Sequence, residues 1–278
     1  MVLGGSGLIG GALLAALRRR GAQAQGTDSK TLDLRDAAAV RALILKLSPG
    51  VVYHAAAKAS VDECEERPAE TRAVNLDPLP GLAAAAAEAG ARLVFFSSDY
   101  VFSGEAGPYA EEDPAGPVNE YGRQKLLAEA ALAASACGWL ALRVTVAFGP
   151  EAKAKNFVAR LARELSAGRR LRVPDDQWGS PTYAPDLAEA AVQLAEHGER
   201  GVVHLCGPEV VNRLELAREA ARAYRLDPDL IDGVPTAALG QKARRPLRAG
   251  MKTAKARALL GRELLGYRAA LRLMARGA

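Results

Sequence analysis

The opening stretch "MVLGGSGLIGGALLAALRRRG" constrains the fold of this chain more than any other. An apolar run leads into Gly4, Gly7 and Gly10, spaced G-x-x-G-x-x-G, and an amphipathic helical pattern follows at once. Glycine at these positions permits a tight turn, lets backbone come close to a diphosphate, and packs helix against strand. The helix start then offers unpaired N–H groups and a partial positive charge to an anion. Strand, glycine turn and helix in this order predict a dinucleotide site, with cofactor contacts at Gly4, Gly7, Leu8, Ile9 and Gly10; a plain tight turn is the bland alternative. Asp28 ends the next apolar segment, where a carboxylate takes an adenosine ribose. It would repel a 2′-phosphate, whereas Lys30, beside Ser29, would attract one, so the cofactor is NADPH or NADH. Asp33 and Leu34 fall where an adenine edge is held, and the small Ala55, Ala56 and Ala57 leave room for a cofactor across the third strand. The first strand has three residues before its glycines, so either it is short or residues precede it.

Apolar runs and amphipathic helical stretches alternate through the first two-thirds, as βαβ units of a parallel sheet do. Helices are expected after the glycine loop, after Asp36 as N-cap, over roughly 69–89, and over "EYGRQKLLAEAALAASACG". "ARLVFFSS" reads as the fourth strand and "WLALRVTVAFG" as the fifth, apolar enough to be buried on both faces. Beyond Pro150 the rhythm loosens into helices near 156–167, from Pro185, at 212–225 and near 252–276, with a strand at "GVVHLCG". The expected fold is α/β, a Rossmann-type doubly wound parallel sheet with a smaller mixed C-terminal substrate lobe. Residues 1–150, completed by about 185–205, would form the dinucleotide-binding domain, and 151–184 with 206–278 the smaller lobe.

Charge narrows the function classes. Residues 241–278 hold eleven Lys/Arg against one acid, Glu263, so this segment carries +10 in a chain of net charge +5. The rest carries −5, an asymmetry suited to an acidic small ligand or to a solvated helix face. No aromatic interleaving accompanies the basic residues, and nucleic acid is not expected. No uncharged apolar run reaches the ~18 residues of a membrane span, and the N-terminus has no signal-peptide pattern. Three widely spaced cysteines imply neither a disulfide framework nor a metal site, and a reducing cytoplasm is the expected compartment. His54, His197 and His204 lack ligand spacing and read as structural, and Trp139 as core. Asp176 and Gln177 either bracket a site or cap a turn.

"FFSSDYVFSG" ends the fourth strand with Ser97, Ser98 and Asp99, at the edge where doubly wound sheets bind ligands. "VNEYGRQKLLAE" follows, with Tyr121 and Lys125 four residues apart on one helix face. Ketone reduction by a nicotinamide needs a proton donor at the carbonyl oxygen. A tyrosine of pKa ~10 serves when a nearby ammonium stabilises its phenolate. A serine hydroxyl can orient the carbonyl, and Tyr121 and Lys125 can also touch the nicotinamide ribose.

These segments, with "GGSGLIG", "HAAAKASVDECE", "LRVTVAFG", "KNFVARLA", "DDQWGSPTYAPDLAEA" and "RRPLRAGMKTAKA", make nearly the whole chain resemble an extended short-chain dehydrogenase/reductase of the dTDP-4-dehydrorhamnose reductase family. The resemblance implies Tyr121 as general acid, Lys125 as its partner and Ser98 as the positioning hydroxyl. It also implies substrate contacts at Val61, Ser98, Asp99, Tyr100, Val146, Asn156, Trp178 and Arg245, with no metal. The implied reaction is hydride transfer from NADPH or NADH to C4 of a dTDP-4-keto-6-deoxy sugar. The partners would be a nucleotide-diphospho-sugar and, as an option, a second copy of the chain; neither nucleic acid nor membrane is expected. One departure concerns the sugar site, where Val146 stands in place of the family's tryptophan; Phe148 or Trp178 would have to supply an aromatic wall. Two rival readings are a nucleotide-sugar dehydratase or epimerase, and a non-catalytic protein similar to the regulatory subunit of methionine adenosyltransferase. Tyr100 after Asp99, where dehydratases carry Glu, argues against elimination, and the Ser98, Tyr121, Lys125 set argues against the non-catalytic protein.

Overall fold

The computed structural model describes residues 1–151 and 154–277. Its first five strands are β1 (Val2–Leu3), β2 (Gly26–Thr27), β3 (Val51–His54), β4 (Arg92–Ser98) and β5 (Trp139–Val144). Four short strands follow, β6 (Ala147–Phe148), β7 (Leu171–Pro174), β8 (Trp178–Gly179) and β9 (Thr182–Tyr183), before β10 (Gly201–His204), β11 (Val211–Asn212) and β12 (Ile231–Val234). The helices are α1 (Leu8–Arg19), α2 (Ala37–Leu47), α3 (Val61–Glu66), α4 (Pro68–Asn75), α5 (Leu79–Glu88) and α6 (Glu120–Ala133). They continue as α7 (Phe157–Ser166), α8 (Ala184–Glu196), α9 (Arg213–Ala223), α10 (Ala254–Leu260) and α11 (Tyr267–Arg276).

One parallel sheet runs β10-β5-β4-β3-β1-β2. The chain leaves β1 for β2 on one side and returns to β3 on the other. The carboxyl end of β1 is therefore a topological switch point, where a crevice opens for ligands. Both faces of the sheet are covered, and β4 shows how the sequence allows it: Val94 and Phe96 join one core with α1 and α8, while Leu93 and Phe95 join the other with α2, α5 and α6. A strand buried on both sides must be apolar at every position, which explains the unbroken "LVFF". A third core, holding Phe148, Leu161, Leu216 and Tyr267, gathers α7, α9 and α11 around the parallel pair β7–β12. No helix among the described residues is long and apolar enough to cross a membrane.

Four expectations need correction. The second strand, expected over "AQAQGTD", is only Gly26–Thr27. The stretch 69–89 is no single helix: α4 ends at Asn75 and α5 begins after Pro78, whose ring and missing N–H interrupt an otherwise continuous alanine-rich pattern. The fifth strand stops at Val144; Val146 takes φ 43°, a left-handed conformation costly for a β-branched residue, and Ala147–Phe148 pair with β9 instead. The segment 252–276 breaks at Gly261, which caps α10 at φ 70°.

Candidate active site

The glycine loop is built for close approach. Gly4 has φ 83°, and a Cβ there would lie 2.7 Å from Ala56 Cα. A Cβ on Gly10 would overlap Gly4 O, so the start of α1 can lie against the turn only with glycine at both sites. Gly7 is the N-cap of α1 without a side-chain cap, which leaves the first-turn N–H groups, those of Leu8 and Ile9 included, facing the crevice. These residues fit a dinucleotide diphosphate. Asp28 follows β2, and its Oδ1 accepts from Lys30 N at 3.0 Å and Thr31 N at 3.2 Å. The Lys30 backbone bond, ahead of the others, holds this carboxyl below the usual range. Exposed Ser29 and Lys30 lie in the same turn. Ala55 and Ala56 follow β3 half-buried and Ala57 exposed, against Gly4. Asp33 forks onto Arg35 at 2.6 Å, whereas Leu34 packs into the α2-side core rather than offering an open face.

The candidate catalytic group forms where β4 ends and α6 begins. Ser98 caps a short 3-10 turn, Asp99–Val101, and its hydroxyl donates to Asp99 Oδ1 at 2.9 Å. Asn119 caps α6 by accepting from Gly122 N at 2.9 Å. Gly122 then allows α6 to close on that turn, since a Cβ there would come 2.0 Å from Tyr100 O. Tyr121 thereby meets Tyr100 edge-on, ring centroids 5.8 Å apart. One turn along, Lys125 is 4 % exposed, donates to Phe96 O at 2.7 Å, and lies 4.5 Å over the Phe95 ring and 5.8 Å from the Tyr121 ring.

The electrostatics differ from the expectation in one respect. Burial, then the charge of Asp99, pushes the Tyr121 phenol up, opposed by a hydrogen bond with Ser98. Lys125 is lowered to about 8 by burial and supported by Glu129. Burial outweighs the neighbouring ammonium, and Tyr121 stands as a neutral proton donor. Asp99 is raised to about 6 by burial, although Thr145 Oγ1 donates to its Oδ2 at 2.8 Å. Beneath the group, Ser97, Arg143 and His204 are register partners across β4, β5 and β10. Glu129 from α6 accepts from the Ser97 hydroxyl and from the Arg143 fork, whose two bonds measure 3.0 and 2.7 Å. His204, fully buried, is held neutral near 4 by desolvation and then Arg143, and His54 near 3 by desolvation and then Lys125.

A groove of about 680 Å³, lined by none of Ser98, Tyr121 and Lys125, is bounded by Ser103–Glu105 on one side and by Thr236 and Lys242–Arg245 on the other. Asp176 accepts from Thr236 N at 3.0 Å and Gln177 Nε2 donates to Thr236 Oγ1 at 3.0 Å, so both hold the groove wall. Asn119 Nδ2 donates to Arg244 O at 2.8 Å, tying that wall to α6. Arg245 is 8 % exposed and already paired with Asp62 at 3.0 Å, next to Val61 at the start of α3. Trp178, 42 % exposed, lines a smaller pocket with Val210 and Arg248. Phe148 is fully buried in the third core, which removes it as an aromatic wall. Asn156 caps α7, with its amide engaged by Ala159 N, Gly149 O and Glu151. The sequence reading missed Thr145, Glu129 and Arg213. Thr145 and Glu129 sit inside motifs already singled out, but Arg213 opens a helix with no local signal.

The chain matches the model of the RmlD substrate binding domain over residues 1–277. It is 36% identical over 254 residues to the dTDP-4-dehydrorhamnose reductase of Streptomyces griseus, covering 88% of this chain and 83% of that protein. Its fold is similar to the Bacillus anthracis dTDP-4-dehydrorhamnose reductase solved in complex with NADP, with TM-score 0.93, 25% identity, and 100% and 98% of the two chains covered. Methionine adenosyltransferase 2 subunit beta of Xenopus tropicalis is 34% identical over 202 residues, 70% of this chain and 60% of that one.

Proposed function

The chain belongs to the RmlD substrate binding domain family, and from that premise we propose that it is an NAD(P)H-dependent reductase of a nucleotide-linked 4-keto-6-deoxy sugar, of the dTDP-4-dehydrorhamnose reductase type. The observation that carries this reading is the convergence of Ser98, Tyr121 and Lys125 at the carboxyl end of β4, on the same sheet edge as the Gly4–Gly10 cradle. When bound, the nicotinamide supplies the hydride. The Ser98 hydroxyl orients the ketone oxygen, and Tyr121 gives that oxygen its phenolic proton. Lys125, held against Phe96 O, stabilises the phenolate left behind. Asp99, turned onto Ser98 and Thr145, fixes the serine rotamer. We assign the cofactor to residues 1–150 with 185–205, and the sugar nucleotide to the groove against the remaining lobe. A second copy of the chain is an optional partner.

Transfer of deuterium from C4-deuterated NADPH to C4 of dTDP-4-dehydrorhamnose tests the assignment. Label at the sugar C4 supports it. Cofactor binding without turnover of any dTDP- or UDP-4-keto sugar would leave the non-catalytic reading standing.

A further inference from the structure

Two guanidinium groups act by charge on the Asp99–Tyr100 corner, Arg245 and Arg213. They differ in their company. Arg245 has Asp62 at 3.0 Å, whereas Arg213 makes no ion pair among the described residues. Arg213 is not a loose surface side chain. It is half-buried, with its guanidinium carbon 4.9 Å from the Phe157 ring centre and its backbone N donating to Gln177 O at 2.8 Å. Asn212 before it pairs with Trp178 across β11–β8 and caps α9 through Leu214 N at 2.8 Å. The first residue of α9 is therefore pinned beside the Gln177–Trp178 segment.

The same layer contains Val146. A Cβ on Gly179 would lie 3.1 Å from Val146 Cγ2, and Gly179 is the register partner of Val211. Val146 and Phe157 also pack against one core. Arg213 thus stands at the end of the site where the expected tryptophan is missing. Asp99 acts on it by charge but forms no ion pair with it, its carboxylate oxygens accepting from the Ser98 and Thr145 hydroxyls. Desolvation lowers the hold of Arg213 on its proton, with Tyr100 and Asp99 opposing and Arg160 and Arg245 adding repulsion. A half-buried cation held without an ion-pair partner is costly. A bound anion removes that cost, and the planar fork of arginine suits two phosphate oxygens at once.

We propose that Arg213 is the interior anchor for the diphosphate of the nucleotide-linked substrate and selects a diphosphate over a monophosphate. This rests on the nucleotide-sugar reading above and adds Arg213 to the substrate contacts, where the resemblance had implied only Arg245 among the arginines.

Calorimetric titration of the NADPH-loaded protein with dTDP, UDP and dTMP tests it, using wild type, Arg213→Gln and Arg213→Lys. Arg213→Gln should weaken dTDP about tenfold or more, change dTMP less than about threefold, and leave NADPH affinity unchanged; Arg213→Lys should recover part of the loss. Unchanged dTDP affinity in Arg213→Gln, or equal losses for dTDP and dTMP, would overturn the assignment, and so would a wild type that binds no nucleoside diphosphate. A wild type that binds dTDP through Arg213 yet reduces no 4-keto sugar would instead remove the reductase reading and keep the anchor.

Discussion

Lys125 shows how a single buried charge is tuned. Its ammonium is 4 % exposed and faces Tyr121 and Glu129 from its own helix, Phe96 O and Phe95 from β4, Cys64 from α3 and His54 from β3. Desolvation is the largest influence and brings the lysine down to about 8, while Glu129, anchored by Arg143 and Ser97, works against it. Burial lowers a base, so the ammonium is present below about pH 8 and is lost above it. Reduction needs that charge when the Tyr121 phenolate forms. A pH–rate profile of ketone reduction should therefore bend near pH 8 and fall about tenfold per pH unit beyond it. Glu129→Gln should move the bend to lower pH, because the influence that supports the ammonium is gone. An unmoved bend would separate Glu129 from the chemistry.

At the scale of elements, α6 matters through one close approach. Its helical extent was legible, as was the Tyr121–Lys125 face, because helical spacing is a local property. What the pattern could not reveal is why Gly122 follows Tyr121: only the fold brings Tyr100 O to where its Cβ would be. Gly122→Ala should push α6 away from the turn after β4. A shift near 1 Å would lower kcat about a hundredfold while circular dichroism stays native, as reacting groups lose alignment before the helix melts. Wild-type kcat in this variant would show that the contact is slack. Other misses have the same origin. Pro78 was a readable stop inside the alanine-rich 69–89 stretch, but Val146 at φ 43° had no local signal, because β-branched residues ordinarily continue a strand. Arg213 opens a helix unremarkably, and only tertiary placement sets it beside Asp99.

Over the whole molecule, sheet and lobe divide the labour. The parallel sheet offers the diphosphate cradle at the end of β1 and the hydroxyl at the end of β4, both at the carboxyl edge. Asp62 holds Ala243 N and Arg245 at 3.0 Å each, and Asn119 holds Arg244 O at 2.8 Å, so the groove wall is fastened to the elements that carry Val61 and Tyr121. On the proposed reading, cofactor and substrate meet at the Tyr121 phenol. Tyr121→Phe, measured for both kcat on dTDP-4-dehydrorhamnose and NADPH affinity, addresses that convergence most directly. Removal of the acid should lower kcat at least about a hundredfold, with NADPH affinity within about threefold of wild type. Turnover within a few-fold of wild type would contradict the assignment of Tyr121 as the proton donor.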